Sequence, residues 1–155
     1  MQIFGILWPT IALVALIWVV WATMFVMRFR HMKRTPPKQW DFDSTESAQA
    51  YFAPVEMPSN NLRNLFETPV LYFALVPLLL ITHMASPTQV MLAWAFVILR
   101  AAHSFIHIGP KKVPLRFLVY AASCAVLMAM WIGFAIDLGG AQAVYDEAMG
   151  NVAGV

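Results

Sequence analysis

The residues of this sequence that could do chemistry are polar groups set at helical spacing in otherwise apolar stretches. Asn60, Asn64 and Glu67 stand at i, i+4 and i+7, so they share one stripe of a helix. Arg63 precedes Glu67 by four residues, the spacing of an intrahelical ion pair. Arg100, His103 and His107 repeat the pattern at i, i+3 and i+7, and Arg116 and Tyr120 lie one turn apart. Arginines in such stripes suit carboxylates, because the guanidinium presents a planar, bidentate fork. His103 and His107 share a helix face, as haem or metal ligands would. No further cluster of Cys, His or carboxylates joins them, so the reading is a site without a metal. Cys124 is the one cysteine and lies in an apolar run, where it reads as a small packing residue.

The elements that position these residues follow from composition. Of 155 residues, 61% are hydrophobic and only 12% charged, against about 45–50% and about 25% in soluble domains. So few charges cannot cover the surface of a soluble enzyme, and the same numbers exclude a disordered or collagen-like chain. The net charge of +2 is too small, and too poor in basic-aromatic motifs, for nucleic acid. The class that remains is an all-α integral membrane protein, a bundle of four transmembrane helices. At about 20 apolar residues each, the spans fall at about 3–27, 60–85, 88–108 and 114–136 in one domain of residues 1–155. Between the first two lies a polar loop, 28–59, and a tail of residues 139–155 follows the last.

Charge placement orients the bundle. The basic cluster Arg28, Arg30, Lys33 and Arg34 follows the first span, and no Lys or Arg precedes it. That order argues against a cleavable signal peptide and puts the amino terminus outside. Every Lys and Arg lies in the first loop, the third loop or the span halves beside them, whereas the second loop and the tail have none. Both termini are therefore expected on the non-cytoplasmic side. Within the loop, Pro36, Pro37, Pro54 and Pro58 exclude a long helix. Asp43 with Glu46 has capping-box spacing, which predicts a short amphipathic helix on the membrane surface. Pro77 predicts a kink in the second span, and the Gly- and acid-containing tail is expected to fray or to lie loosely on the membrane surface.

This topology brings the three polar stripes to one depth, in the cytoplasmic half of the bilayer. An ionisable group at a span centre costs about 2.5–3.5 kcal/mol on insertion scales, so Glu67 and Arg100 are expected to neutralise one another as an ion pair. Such a pair could serve helix register alone. The asparagines, histidines and further arginines at the same level exceed what register needs and favour a wet pocket open to the cytoplasmic interface. A transporter is disfavoured, because the outer half offers no polar path. His83, on the outer side, reads as interfacial.

The stretches from Asn61 to Pro69, from Arg100 to His107 and from Pro114 to Arg116 resemble the MAPEG family, the membrane-associated proteins in eicosanoid and glutathione metabolism. The resemblance runs from about Asn60 to Ile136. His107 stands where characterised transferases usually have tyrosine, and Asn60 where the leukotriene-synthase type has arginine, so the chain looks most like the bacterial members without an assigned activity. The resemblance implies a homotrimer with glutathione in a cleft between subunits near the cytoplasmic face. It makes Asn64 and Glu67 the pair that holds the glutathione peptide, and Arg116 the arginine that faces the sulfur. Asn60, Arg63, Arg100, His103, His107 and Tyr120 complete the expected binding set. The implied activity is that of a glutathione transferase or peroxidase of the bacterial inner membrane, acting on a lipophilic electrophile or hydroperoxide. The alternative is a trimeric membrane protein of the same fold that binds a lipid, a thiol or a partner protein without turnover.

Overall fold

The computed structural model describes residues 3–110 and 112–153. Among them lie six α-helices: α1 (Leu7–Arg34), α2 (Thr45–Phe52), α3 (Met57–Glu67), α4 (Pro69–Ile81), α5 (Pro87–Ile108) and α6 (Val113–Ala153). Four stretches are long and apolar enough to cross a membrane: α1, α3 together with α4, α5, and α6. The chain is a multi-pass membrane protein.

The first helix outlasts its apolar run. It continues through the basic cluster to Arg34, because nothing breaks it before Pro36, which forces Thr35 out of the helical region (φ −129°, ψ 86°). His31, Lys33 and Arg34 thus fill the last turn, where cations favour the helix dipole. The short helix expected in the loop is α2, but its capping box sits one residue further on. Asp43 is helical (φ −72°, ψ −23°) at the end of the turn Gln39–Phe42, whereas Ser44 is extended, as an N-cap must be. Ser44 Oγ accepts from the Ser47 amide, and Ser47 Oγ accepts from the Ser44 amide, both at 3.1 Å.

The second span starts earlier than expected, at Met57 with Pro58 in its first turn. It is interrupted at Thr68, a break not expected from the sequence. Pro69 has no N–H to offer the carbonyl of Leu65, so α3 ends and α4 begins there, while Pro77 lies inside α4. After α4 the chain reverses through His83 in the left-handed region (φ 58°), and the Met84 amide closes onto the carbonyl of Leu79 at 2.9 Å. Ser86 then caps α5, accepting from the Gln89 amide at 3.3 Å.

The tail does not fray. The last helix runs unbroken for 41 residues, about 60 Å at 1.5 Å per residue and twice the hydrocarbon thickness. Helix formers between Ala141 and Met149, with Gln142 Nε2 donating to Asp146 at 2.8 Å, carry it past Gly139 and Gly140. Lys111, assigned from sequence to the third loop, and tail residues 154–155 lie outside the described residues.

Packing divides the bundle by depth. The apolar core joins Leu13 of α1, Tyr72, Leu75 and Leu79 of α4, Ala93 and Phe96 of α5, and Leu127, Met130 and Phe134 of α6. Tyr72 stacks on Phe96 (5.2 Å between centroids) and shares a 3.0 Å hydrogen bond with Thr10. Gln89 clamps α5 to α6 through a 3.0 Å hydrogen bond to the carbonyl of Met130. Large apolar side chains such as Trp8, Trp18 and Phe105 project outward, which suits a lipid surround. The other half of the bundle, where α3, the end of α5 and the start of α6 meet, holds the polar residues.

Candidate functional site

Arg100 is the largest fully buried side chain, at 0% exposure. Its Nη2 donates to the backbone carbonyl of Asn64 at 2.7 Å, and its Cζ lies 5.5 Å from the centre of the Tyr120 ring. This one guanidinium therefore ties α5 to α3 and α6. Nε and Nη1 have no protein partner, so the expected ion pair with Glu67 does not form. Glu67 is on the exposed side of α3, and a backbone carbonyl answers the arginine instead. Leaving the carboxylate exposed spares its desolvation, while Arg100 stays buried and is met by the carbonyl and the Tyr120 ring. Arg63 is likewise exposed and makes no ion pair with Glu67.

Two adjoining clefts open in front of this strut. One, of about 240 Å³, is lined by Asn64, His103, Val113, Arg116, Phe117 and Tyr120. The other, of about 430 Å³, is lined by Met57, Asn60, Arg63, Asn64, Glu67, His107 and Arg116. Asn64 and Arg116 belong to both, so they mark the seam. The larger falls within the roughly 300–1,000 Å³ range of small-molecule sites. Of the nine site residues expected from sequence, eight line these clefts, and Arg100 stands behind them as a strut.

His103 has a defined role in the seam. Its Nδ1 lies 3.3 Å from the carbonyl of Arg116. A carbonyl only accepts, so Nδ1 carries the proton and Nε2 is left with its lone pair. That Nε2 is buried and unpartnered. His107 packs edge-on against it, 5.6 Å between ring centres, and its Nδ1 is also buried without a partner. Tyr120 packs 5.7 Å from His103 on the other side.

Sequence reasoning missed the support behind α3. Asn61 is fully buried, and its Oδ1 accepts from Ser104 Oγ at 3.4 Å. The available signal was a polar residue on the apolar side of α3, four before Leu65. His83 lies apart from the site, exposed at the turn between α4 and α5. No group of three or more His, Cys, Asp or Glu side chains placed to hold a metal occurs among the described residues.

The MAPEG family profile matches residues 6–136, most of the chain and all four spans. The chain belongs to the MAPEG family. No curated protein and no solved structure matches it. MAPEG membership associates the chain with membrane proteins of glutathione and eicosanoid metabolism. The residues present suit an anionic peptide: two arginines, two asparagines, a carboxylate and the free nitrogens of two histidines face or adjoin the clefts. Glutathione carries two carboxylates and one ammonium, and the mixed signs of the lining match that charge pattern.

Proposed function

We propose that this MAPEG protein binds glutathione, or a similar low-molecular-weight thiol, in the paired clefts and activates it for transfer to a lipophilic electrophile or for reduction of a hydroperoxide. The carrying observation is that Arg116 lines both clefts together with the stripes of α3 and α5. Bound glutathione supplies a nucleophilic sulfur. Free thiols titrate near 8.5, so only a few per cent is thiolate at neutral pH, and each unit by which a neighbouring charge lowers that value is worth about 1.4 kcal/mol.

The chain's own groups divide the work. Arg63 and Arg116 hold carboxylates and favour the thiolate, Glu67 takes the ammonium, and Asn60 and Asn64 satisfy the peptide. His103 Nε2, a buried lone pair beside Arg116, accepts the thiol proton. His107 and Tyr120 wall the site, while Arg100 fixes the helices that carry it. The clefts are open on the side where Arg63 and Glu67 are exposed, and a neighbouring subunit of a homotrimer closes them there. The bundle sits with both termini outside, in a bacterial inner membrane, so the site faces cytoplasmic thiol and its apolar flank faces lipid-borne substrate.

The test is titration of detergent-purified protein with glutathione, followed by thiolate absorbance. Wild type gives saturable absorbance and Arg116→Ala gives none. No thiolate and no binding at millimolar glutathione in wild type overturns the reading.

A further inference from the structure

A second cleft rich in positive charge lies at the end of α1, away from the glutathione site. Arg30 and Arg34 stand at i and i+4, and with His31, Met27 and Val55 they line a hollow of about 220 Å³. No carboxylate lines it, and neither arginine is ion-paired among the described residues. The nearby acids do not line it. Asp41 accepts from the backbone amide of Lys38 at 2.7 Å, and Glu56 lines a different hollow beside Arg28. Like charges at this spacing repel, so the pair is suited to an anion from outside the chain.

The hollow is built, not incidental. The loop folds back on α1: the His31 ring meets Tyr51 at 4.9 Å, the Tyr51 hydroxyl donates to the carbonyl of Thr35, and the Arg28 guanidinium lies 4.8 Å over Phe52. Its depth is informative as well. Arg30 and Arg34 lie about 4.5 and about 10.5 Å beyond Met27, where the charge-free run ends, at 1.5 Å per residue. A headgroup layer is about 5–8 Å thick on each side of the hydrocarbon. Phe29, next to Arg30 in sequence, is exposed, and Trp40 is 62% exposed on the loop, as suits aromatic residues of a membrane interface.

We infer that the Arg30–Arg34 cleft binds the phosphate of an anionic glycerophospholipid, with the acyl chains along the apolar face of α1. Two guanidinium forks match a phosphodiester monoanion, and a headgroup without an amine escapes repulsion from the arginines. Inorganic phosphate shares the anion chemistry but has no acyl chains to place on α1.

Native mass spectrometry of the detergent-solubilised full chain compares dioleoylphosphatidylglycerol with dioleoylphosphatidylcholine. The expected result is a preference for phosphatidylglycerol of about tenfold, the equivalent of one step in affinity. The double variant Arg30→Lys and Arg34→Lys keeps every charge, and hence the orienting signal, but loses the bidentate forks, and its preference collapses. Lys33→Gln, outside the cleft, retains the preference. Equal binding of the two lipids by wild type overturns the inference, as does an equal loss in Lys33→Gln, which would mark diffuse attraction. Displacement of the lipid by millimolar inorganic phosphate would reassign the cleft to a free anion.

Discussion

Replacing His103 separates the two nitrogens of one ring. In His103→Asn the side-chain amide stands where Nδ1 was and can still donate to the Arg116 carbonyl, now 3.3 Å away, but nothing replaces Nε2. In His103→Phe both nitrogens go. The Nδ1 contact is a neutral hydrogen bond worth about 0.5–1.5 kcal/mol, so the asparagine variant should unfold near the wild-type temperature and the phenylalanine variant below it. A positioned base contributes about 10²–10⁴ in rate, roughly 2.7–5.5 kcal/mol at 1.36 kcal/mol per decade. If Nε2 takes the thiol proton, His103→Asn slows thiolate formation by that factor although its fold and its glutathione affinity hold. Stopped-flow absorbance of the thiolate gives the rate, its amplitude gives the affinity, and a thermal melt gives the fold. Wild-type thiolate kinetics in His103→Asn, alongside a slowed His103→Phe, would refute the reasoning and leave His103 as an anchor for α6 alone.

Glu67→Gln should leave stability unchanged, because the side chain is exposed and unpaired, and raise the dissociation constant for glutathione about tenfold, measured by isothermal titration. Gln89→Met removes one buried hydrogen bond to Met130 but also the unpartnered Oε1; hydrogen bonds between membrane helices average about 0.6 kcal/mol and an orphaned buried polar group costs about 1–3 kcal/mol. The methionine variant should therefore melt at or above wild type, and Gln89→Ala below it. Truncation after Leu138 removes residues that are exposed wherever their side chains are described, and should leave the melting temperature within the scatter of a surface substitution, about 0.5 kcal/mol.

What the sequence made legible follows the strength of each physical signal. Span number and order rest on runs of about 20 apolar residues, which a bilayer leaves little freedom to place otherwise. The convergence of Asn64, His107 and Arg116 follows from helical period and alternating direction, both readable without coordinates. That Glu67 and Arg100 do not pair was not readable, because opposite charges at one depth say nothing about rotation of their helices or about a backbone carbonyl as competitor. The break at Thr68 was not readable for a related reason. Pro69 and Pro77 both lie in the second span, and only packing decides which missing N–H a helix absorbs and which ends it. Asn61 and Ser104 stayed hidden because a polar residue among apolar ones looks like noise until its partner from another helix stands beside it.

The buried arginine shows how a polar site can persist in a bilayer. Arg100 sits among three helices and answers a main-chain carbonyl and an aromatic face rather than a carboxylate. A carbonyl cannot lose its acceptor character with pH, nor swing away as a side chain does, so the strut holds α3 and α6 at fixed spacing whatever enters the clefts. The carboxylate that might have neutralised it is left on the cleft wall, where it can meet a cation of the ligand. Two arginine nitrogens with no protein partner keep the region electropositive behind the seam, which favours a thiolate in front of it more than it favours the thiol. In the proposed function the cost of burying that charge is offset at thiolate formation: a neutral strut of the same size at position 100 should hold the helices as well and stabilise the thiolate less.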